Sequence, residues 1–528
     1  MSRAAPAPLP WHLLQRLAGT GEMRAMDAHA IETLGLPGRL LMENAAHAVA
    51  LRVDALLEAH EAAGPVVVCC GAGNNGGDGY AAARLLVNRG RPVTVLRLGA
   101  PRGADAATNA EAWAHFGPAV DAEAEPGRAA EALHGAAAIV DALFGTGLER
   151  AVQGAAARLI DAMNAAAARS GCPVVAVDIP SGVHGDTGQV LGHAVRCTHT
   201  VTFQVGKPGC YQYPGAAHAG TVEVAPISIP PSWPDGAAGT WRLGAEFAAA
   251  LLPPRPADGH KGTFGHLLTV CGSAGMAGAA LLASVAGLKV GAGLVTAAVP
   301  RTLRDRFLTA APELMTLAAD DGPEGWHAAA HADGLLAAAA ARDAVVLGCG
   351  LGRREETGAL AQRLVREVER PLLIDADGLF ALGPEHLRAR PGPTVITPHP
   401  GELERLAGLP RAELAAQRLG VARRLAAEWG VVLVLKGAAT VVAEPGGQAF
   451  LNATGDAGLA SGGTGDVLSG IVGGLLAQGL EALPAALVGV YLHGLARDCQ
   501  REAVTSAYFT AGDLIAGINP ALQRLGAV

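Results

Sequence analysis

A glycine-rich stretch near the C-terminal end of the chain combines an anion-binding backbone with a single carboxylate. Residues 452–470 read NATGDAGLASGGTGDVLSG, and five of residues 455–465 are glycines. The apolar run 467–476 predicts a helix with Asp466 at its start, and backbone N–H groups at a helix start bind anions. Since a carboxylate beside a phosphate is unfavourable unless it accepts a proton, the stretch indicates phosphate chemistry with a general base. The alternative is an aspartate that merely favours the start of a helix.

Composition and charge argue against several classes of protein. The chain has 528 residues, 50% of them hydrophobic and 17% charged, which predicts two or three domains with large cores. A net charge of -8 without a basic block argues against a nucleic-acid partner. The longest apolar run, 277–299, contains Lys289 and several glycines, so it predicts a buried helix and strand and no membrane partner. The eight cysteines form no CxxC motif and residues 1–14 lack the apolar segment of a signal peptide, which indicates a cytoplasmic protein without structural zinc.

The first half contains another glycine-rich loop within a predicted βαβ unit. Residues 65–70 predict a buried strand, residues 80–89 a helix and residues 91–98 a further strand. The loop between the first two matches the dinucleotide fingerprint GxGxxG at 71–76. The second strand ends without the acidic residue that binds a ribose, which argues against an NAD-dependent dehydrogenase. The loop instead offers amide and carboxylate oxygens that suit a hard cation.

Polar side chains follow three predicted strands of this half. Asn75 lies in the glycine-rich loop, Asp141 follows a strand predicted at 136–140, and Asp178 and Ser181 follow the next strand. Because the carboxyl ends of parallel strands meet at one edge of a sheet, we expect these side chains to converge on one crevice. For each aspartate alone, capping of a following helix is the alternative.

A segment rich in proline and glycine separates the two halves. Residues 229–239 read IPPSWPDGAAG, which is typical of a linker. We therefore predict a first domain at 1–228, a linker at 229–240 and a second domain at 241–528. In the second domain, apolar strands alternate with glycine-rich loops and helices, which predicts an α/β fold with a mostly parallel sheet.

Two polar residues at strand ends of the second half are candidates for ligand binding. His399 is held in extended backbone between Pro398 and Pro400 and lies close to Glu402. It is either a structural histidine or a substrate contact. Lys436 ends an apolar strand, where a lysine usually needs a partner. A nucleotide phosphate or a buried carboxylate would serve as that partner.

Four motifs of the first half resemble the N-terminal half of bifunctional NAD(P)H-hydrate repair enzymes. They are LMEN at 41–44, GAGNNGGDG at 71–79, DALFGTG at 141–147 and DIPSG at 178–182. In that family this half is a Rossmann-like epimerase that interconverts the R and S epimers of NADHX and NADPHX, the nicotinamide cofactors hydrated at C6. The resemblance implies proton transfer by Asp178 and a potassium ion at Asn75, Asp141 and Ser181. It implies substrate contacts at Asn74, Asn75, Gly76, Gly77, Asp78, Gly145, Thr146, Gly147, Leu148, Glu149, Arg150, Ala151 and Asp178.

The motifs of the second half resemble the C-terminal half of the same family, in the family's usual order. They are HKGTFG at 260–265, GSAGMAG at 272–278, GCGLG at 348–352, DADGL at 375–379, TPHPGE at 397–402, LKGAAT at 435–440 and GGTGD at 462–466. The family's C-terminal half is a ribokinase-like (S)-NAD(P)HX dehydratase that uses ADP or ATP. The resemblance implies substrate contacts at Ala277, Gly350, His399 and Asp466. It implies nucleotide contacts at Lys436, Gly437, Ala438, Ala439, Thr440 and Gly465.

The chain departs from the family pattern at a few positions. Ala46 and Ser228 stand where glycine is common, and Cys349 stands where proline is usual. Gly378 and Phe380 replace alanine and asparagine, and the lost asparagine removes one expected polar contact.

The predicted dehydration requires that the substrate hydroxyl leave as something better than hydroxide. We expect Asp466 to accept its proton while the oxygen attacks the terminal phosphoryl group of the nucleotide, which carries Mg²⁺. A kinase of the ribokinase class, such as a hydroxyethylthiazole or pyridoxine kinase, is the closest alternative, although it lacks the fused first half. A binding module with a degenerate first site is another. The choice between ADP and ATP, the preference between NADHX and NADPHX, and the oligomeric state, a homo-oligomer included, stay open.

Overall fold

The computed structural model of the chain describes residues 9–60, 63–230, 238–319 and 325–526.

Two compact units divide the chain. The N-terminal unit is Arg16–Ala237, and the C-terminal unit is Met1–Gln15 together with Ala238–Val528. The division falls within strand β1 (Gln15–Leu17). The predicted first domain began at residue 1, whereas the residues before Arg16 group with the C-terminal unit. The predicted linker, 229–240, overlaps the join, and its residues 231–237 lie outside the described residues.

The described residues of the N-terminal unit form a seven-stranded sheet in which all neighbouring strands are parallel. The strands are β2 (Val66–Cys70), β3 (Val93–Arg97), β4 (Ala119–Asp121), β5 (Ala138–Ala142), β6 (Val174–Val177), β7 (His199–Phe203) and β8 (Thr221–Ala225). Their order is β4-β3-β2-β5-β6-β7-β8. The helices are α1 (Thr20–Ala28), α2 (Gly38–Ala59), α3 (Asn74–Asn88), α4 (Ala104–Trp113), α5 (Pro126–His134), α6 (Gly154–Ser170) and α7 (Ala216–Ala219).

Both faces of this sheet are covered, which explains its unbroken apolar strands. All five residues of β2 are buried. Val66 and Val68 pack with residues of α2 and α3, whereas Val67 and Cys69 pack with residues of α5 and α6. Alternate side chains of a strand point to opposite faces, so a strand between two helical layers must be apolar throughout.

Two boundaries in this unit differ from the sequence prediction. Helix α3 begins at Asn74, not at residue 80, so residues 74–79 of the predicted loop 71–79 form the first turns of a helix. Glycine permits this close packing, because a Cβ atom on Gly76 would lie 1.8 Å from Gly71 O. Strand β5 runs to Ala142 and therefore contains Asp141, which was predicted to follow the strand.

The described residues of the C-terminal unit contribute to an eleven-stranded mixed sheet. Its further strands are β9 (Thr240–Arg242), β10 (His266–Val270), β11 (Leu294–Pro300), β12 (Met315–Ala319), β13 (Ala344–Leu347), β14 (Leu372–Ile374), β15 (Thr394–Ile396), β16 (Val432–Leu435), β17 (Val441–Ala443) and β18 (Ala449–Leu451). The order is β1-β9-β18-β17-β16-β15-β14-β13-β10-β11-β12. In the sheet order, every neighbouring pair from β16 through β15, β14, β13, β10 and β11 to β12 is parallel. Strand β17 pairs antiparallel with both β16 and β18.

Helices cover this sheet and fill the connections between its strands. They are α8 (Ala245–Leu251), α9 (Ala277–Lys289), α10 (Arg304–Ala310), α11 (Ala332–Ala340), α12 (Glu355–Glu367), α13 (Asp377–Phe380), α14 (Pro384–Arg388), α15 (Pro400–Ala407), α16 (Arg411–Ala416), α17 (Arg418–Trp429), α18 (Thr464–Ala477), α19 (Ala482–Asp498) and α20 (Ala511–Arg524). The predicted α/β architecture is therefore confirmed.

Helix α18 lies in the centre of the C-terminal unit. Every residue from 467 to 477 is buried, which is typical of a helix that packs on all sides. It packs closely on α9, because a Cβ atom on Gly470 would lie 2.1 Å from Ala283 O. Among the described residues, no helix is long and apolar enough to cross a membrane.

Candidate active sites

A pocket of about 920 Å³ opens in the N-terminal unit where strands β2, β5 and β6 end. It is lined by most of the residues that the motifs predicted, namely Asn74, Asn75, Asp78, Gly145, Thr146, Gly147, Leu148, Glu149, Arg150 and Asp178. Gly76, Gly77 and Ala151 are not among the lining residues. Gly77 instead packs behind the pocket, since a Cβ atom there would lie 2.8 Å from the Met42 sulfur.

Asp141 and Ser181 are not among the lining residues but form a buried polar pair behind the lining segment 143–145, whose backbone N–H groups donate to them. Ser181 Oγ donates a hydrogen bond to Asp141 Oδ1 over 2.5 Å, and Ser181 N donates to Asp141 Oδ2 over 2.7 Å. Burial raises the pKa of the Asp141 carboxyl to about 6, although the hydrogen bonds from Ser181 lower it. Asp141 caps no helix, because the following helix begins at Gly154. The capping alternative for Asp141 is therefore wrong.

Asn75 completes the arrangement with a buried amide. A Cβ atom on Gly145 would lie 3.1 Å from Asn75 Oδ1, so the amide lies against the loop that follows β5. The Asn75 side-chain nitrogen is buried, and within the described ranges it has no hydrogen-bond partner. Buried polar atoms of this kind are normally satisfied, so the protein alone leaves this site incomplete.

Asp178 is held by a buried lysine that the sequence analysis missed. Lys207 Nζ lies 2.6 Å from Asp178 Oδ1 and also donates to Phe203 O over 2.8 Å. Thr202 Oγ1 and Phe203 N donate to the same carboxylate oxygen over 3.1 and 3.2 Å. Asp178 has a φ of 67°, a strained region for a residue other than glycine. These contacts fix the direction of the carboxylate.

Two of the other carboxyl groups that line this pocket, those of Asp27 and Asp78, have raised pKa values. Burial raises the pKa of Asp27 to about 6 and raises the pKa of Asp78 well above its usual range. The charge of Asp178 raises both pKa values further, whereas the charge of Lys207 lowers them. The raised pKa of Asp78 favours its protonated form, which can donate a hydrogen bond. Asp27 lies outside the motifs, and no sequence signal pointed to it.

The second site lies where the parallel strands of the C-terminal unit end. Gly350 follows β13 and lies against the start of α9, because a Cβ atom there would lie 2.8 Å from Ala279 Cβ and 2.9 Å from Met276 O. The structure thus brings Gly350 close to Ala277, the first residue of α9.

Lys436, at the end of β16, has a buried carboxylate as its partner. Its Nζ lies 2.6 Å from Asp375 Oδ1 and 3.9 Å from Glu402 Oε2. Ser469 Oγ donates to the other Asp375 oxygen over 2.7 Å. Burial alone would lower the pKa of Lys436, but the charges of Asp375 and Glu402 outweigh it and the pKa is raised. Lys436 therefore stays protonated, and its positive charge is balanced by these carboxylates.

His399 caps helix α15 and keeps an accessible ring. Its Nδ1 accepts a hydrogen bond from Glu402 N over 3.2 Å, and His399 N donates to Glu402 Oε2 over 2.8 Å. Its side chain is 56% exposed. The residue therefore has a structural role, while its ring stays open to a ligand.

Asp466 lies in the first turn of α18, close to this cluster. Gly463 precedes the helix, and no side chain caps its start, so Asp466 is not a capping residue. Burial and the charge of Asp375 raise the pKa of Asp466 to about 6, which the Cys349 thiol and Lys436 counteract. A Cβ atom on Gly465 would lie 3.5 Å from Lys436 Nζ. The carboxyl is therefore half-buried and close to its working range as a base.

Comparisons with known proteins cover both units. The family described as NAD(P)H-hydrate dehydratase matches residues 267–519, and the family described as YjeF-related protein N-terminus matches residues 38–209. A bifunctional NAD(P)H-hydrate repair enzyme Nnr of Moorella thermoacetica is 41% identical over 518 residues, covering 96% of this chain and 97% of that protein. The chain belongs to the family of bifunctional NAD(P)H-hydrate repair enzymes. The Escherichia coli Nnr is 38% identical and covers 96% of this chain.

Membership of the repair-enzyme family confirms the predicted activities. The chain is both an NAD(P)HX epimerase and an ADP/ATP-dependent NAD(P)HX dehydratase. Because full-length relatives match through both halves, the single-domain kinase and the NAD-dependent dehydrogenase are set aside. A Bacillus subtilis ADP/ATP-dependent NAD(P)H-hydrate dehydratase co-crystallised with ATP/Mg²⁺ is 31% identical, with a TM-score of 0.47, and covers 54% of this chain and 98% of that one.

Two departures from the repair-enzyme pattern lie at the dehydratase site. Cys349 is fully buried, and its thiol forms a hydrogen bond with Asp466. Phe380 is 42% exposed and lies between two guanidinium groups, with Arg353 at 4.5 Å and Arg405 at 4.9 Å from its ring centre. An asparagine at 380 would offer hydrogen bonds there, whereas the phenyl ring offers a face for cations.

Proposed function

We propose that the pocket of the N-terminal unit binds hydrated NAD(P)H and that Asp178 exchanges the proton of its C6 hydroxyl. The observation that carries this proposal is the ion pair between Lys207 and Asp178, because it holds this carboxylate in a fixed direction in the wall of the pocket. The polar loop 145–150 and the amides of Asn74 and Asn75 offer contacts for the rest of the dinucleotide. The family resemblance also assigns Gly76, Gly77 and Ala151 to the substrate, and they remain proposed contacts.

We further propose a potassium ion at Asn75, Asp141 and Ser181. Asp141 is a fully buried carboxylate whose recorded partners are all neutral, so a cation would offset its desolvation. The buried Asn75 Nδ2, which has no partner among the described residues, is an N–H donor and would bind an acceptor atom of the substrate, whereas Asn75 Oδ1 is the atom available to the cation. One carboxylate among neutral oxygens favours a monovalent ion over Ca²⁺ or Mg²⁺, which usually meet more negative charge or water.

Potassium should therefore stimulate the epimerase. After dialysis into a large organic cation, we expect the epimerisation rate and the unfolding temperature of the wild type to rise as potassium is added. Asp141→Ala should remove both responses. Asp141→Asn is the matched variant, because it keeps the shape and most hydrogen bonds but not the charge. A flat wild-type response in both measurements would reject the cation site.

For the dehydratase we propose that Asp466 takes the proton of the substrate hydroxyl as its oxygen attacks the terminal phosphoryl group. The P–O bond to the rest of the nucleotide breaks as the new O–P bond forms, and the shortened nucleotide leaves. Phosphate then departs with the C6 oxygen, and the neighbouring ring carbon loses a proton, which restores the double bond of the reduced nicotinamide. The N–H groups at the start of α18 lie next to Asp466 and would stabilise the developing charge. Ala277, Gly350 and His399 are the proposed substrate contacts. Mg²⁺ would accompany the nucleotide, as phosphoryl transfer generally requires.

The nucleotide site is proposed at Lys436–Thr440 and Gly465. Gly437 and Ala438 are exposed, and Gly437 has a φ of 143° that only glycine adopts readily. Ala439 has a φ of 53°, and Thr440 Oγ1 donates to Gly437 O over 3.0 Å, which holds the loop in this shape. The side chain of Lys436 extends from this loop to Gly465, which brings the two parts of the proposed nucleotide site together.

The dehydratase should lose activity in acid because its base must be ionised. With a pKa of about 6, Asp466 accepts a proton above that pH and is already protonated below it. We expect kcat/KM to fall by about tenfold per pH unit below this value. Nucleotide phosphates also titrate near pH 6. The ratio of the wild-type rate to the Asp466→Asn rate cancels that contribution, and a ratio independent of pH would contradict the assignment.

The proposal also covers the location and the domain bounds of the enzyme. We propose that the protein is cytoplasmic, that its epimerase domain lies before residue 229 and that its dehydratase domain begins at residue 241. Its oligomeric state has to be measured. A direct test is incubation with mixed R,S-NADHX and either ADP or ATP, following the return of reduced nicotinamide absorbance. Complete consumption of both epimers is expected, and a protein that leaves both untouched would refute it.

A further inference from the structure

A guanidinium group without a carboxylate partner lies beside the loop that joins β16 and β17. Both terminal nitrogens of Arg418 lie 2.9 Å from the position that a Cβ atom on Gly437 would occupy. The recorded hydrogen bond of Arg418 runs from Nη2 to Lys436 O over a long 3.4 Å. Burial lowers the pKa of this guanidinium, and no charged group of the described ranges compensates. A partly buried cation in this condition is unfavourable unless an anion joins it.

The positive charge of the neighbouring Lys436 is not available to balance the charge of an anionic ligand. Lys436 is already neutralised by Asp375 at 2.6 Å, and Glu402 lies 3.9 Å away. These three side chains carry a net negative charge, which would repel a nucleotide phosphate. Arg418, on the other side of Gly437, is therefore the cation of this loop that is available to an incoming anion.

We propose that Arg418 binds a phosphate group of the ADP or ATP co-substrate. This proposal rests on the nucleotide site proposed above at Lys436–Thr440. The planar guanidinium presents paired N–H donors that match two phosphate oxygens. Gly437 keeps the approach open, because any side chain there would collide with the guanidinium.

The test is titration of the full-length protein and its Arg418→Gln variant with ADP. We expect about 10- to 100-fold weaker ADP binding, as for the loss of a charge-assisted hydrogen bond. The affinity for adenosine, which lacks phosphate, is measured by its competition with ADP and should change less than twofold. The KM for S-NADHX should also change less than twofold. Arg418→Lys should recover part of the affinity. Arg424→Gln is the matched control, since Arg424 lies on the same helix and pairs with Glu413 and Glu428 on the surface.

Failure of this proposal can be told apart from failure of the nucleotide site. Ala438 is exposed in the loop, so Ala438→Asp adds a negative charge without a clash. If Ala438→Asp weakens ADP binding and Arg418→Gln does not, the loop binds nucleotide without Arg418 and the proposal is overturned. If neither variant weakens it, the nucleotide lies elsewhere and both proposals fall. Unchanged unfolding temperatures for Arg418→Gln and Arg418→Lys would show that lost affinity is not lost folding.

Discussion

Asp466→Asn is expected to reduce nucleotide-dependent dehydration by about 10²–10⁴-fold, the usual contribution of a general base. Asparagine keeps the size of the side chain at the start of α18 but cannot take a proton from the substrate hydroxyl. The fold should survive, because Asp466 provides no capping hydrogen bond and removal of a half-buried carboxylate relieves its repulsion with Asp375. The rate is measured as the return of reduced nicotinamide from purified S-NADHX with ADP or ATP.

The matched control for this prediction is Asp305→Asn. Asp305 is also an aspartate in the first turn of a helix of the C-terminal unit, but it is exposed. Its replacement should leave dehydration within about twofold. Epimerisation, which depends on the N-terminal unit, should be unchanged in both variants. A near wild-type dehydration rate in Asp466→Asn would show that another group is the base.

Asp178→Asn is expected to block use of the R epimer while the S epimer is still dehydrated. The wild type should consume a mixture of epimers completely, whereas the variant should stop with R-NAD(P)HX left over. The expected loss of epimerisation is about 10²–10⁴-fold, because asparagine offers neither a charge to Lys207 nor a site for the proton. Chromatographic separation of the two epimers over time measures this directly.

Stability must be followed in the same variant. Removal of one partner of a buried ion pair leaves the other charge uncompensated and destabilises a protein by about 3–5 kcal/mol, and Lys207 is only 1% exposed. Asp178→Asn combined with Lys207→Met removes both charges and should restore stability without restoring epimerisation. Asp161→Asn is the control for replacing an aspartate by asparagine, because Asp161 is exposed and pairs with His193. Complete consumption of the R epimer by the folded double variant would count against Asp178.

The sequence alone determined the α/β architecture and predicted many of the residues that line the pocket of the N-terminal unit. Apolar runs such as Val66–Cys70 are local patterns, and a strand covered on both faces must be apolar whatever its neighbours are. Glycine-rich loops at strand ends are equally local, so Asn75, Asp178 and Asp466 were found where the chain leaves a strand or enters a helix. The family resemblance rests on these same motifs, and full-length relatives confirm it.

Tertiary structure alone decided which charges meet. Lys207 and Asp178 are 29 positions apart, and Lys436 and Asp375 are 61 apart, with no periodic pattern to link them. The helical start at Asn74 likewise depended on the close approach of Gly76 to Gly71, which shows only in the packed unit. Local sequence fixes where a side chain leaves the backbone, whereas its partner, its desolvation and hence its pKa depend on segments that folding brings together. The position of Arg418, which forms no ion pair with a carboxylate of the described residues, and the raised pKa of Asp27 belong to this second class.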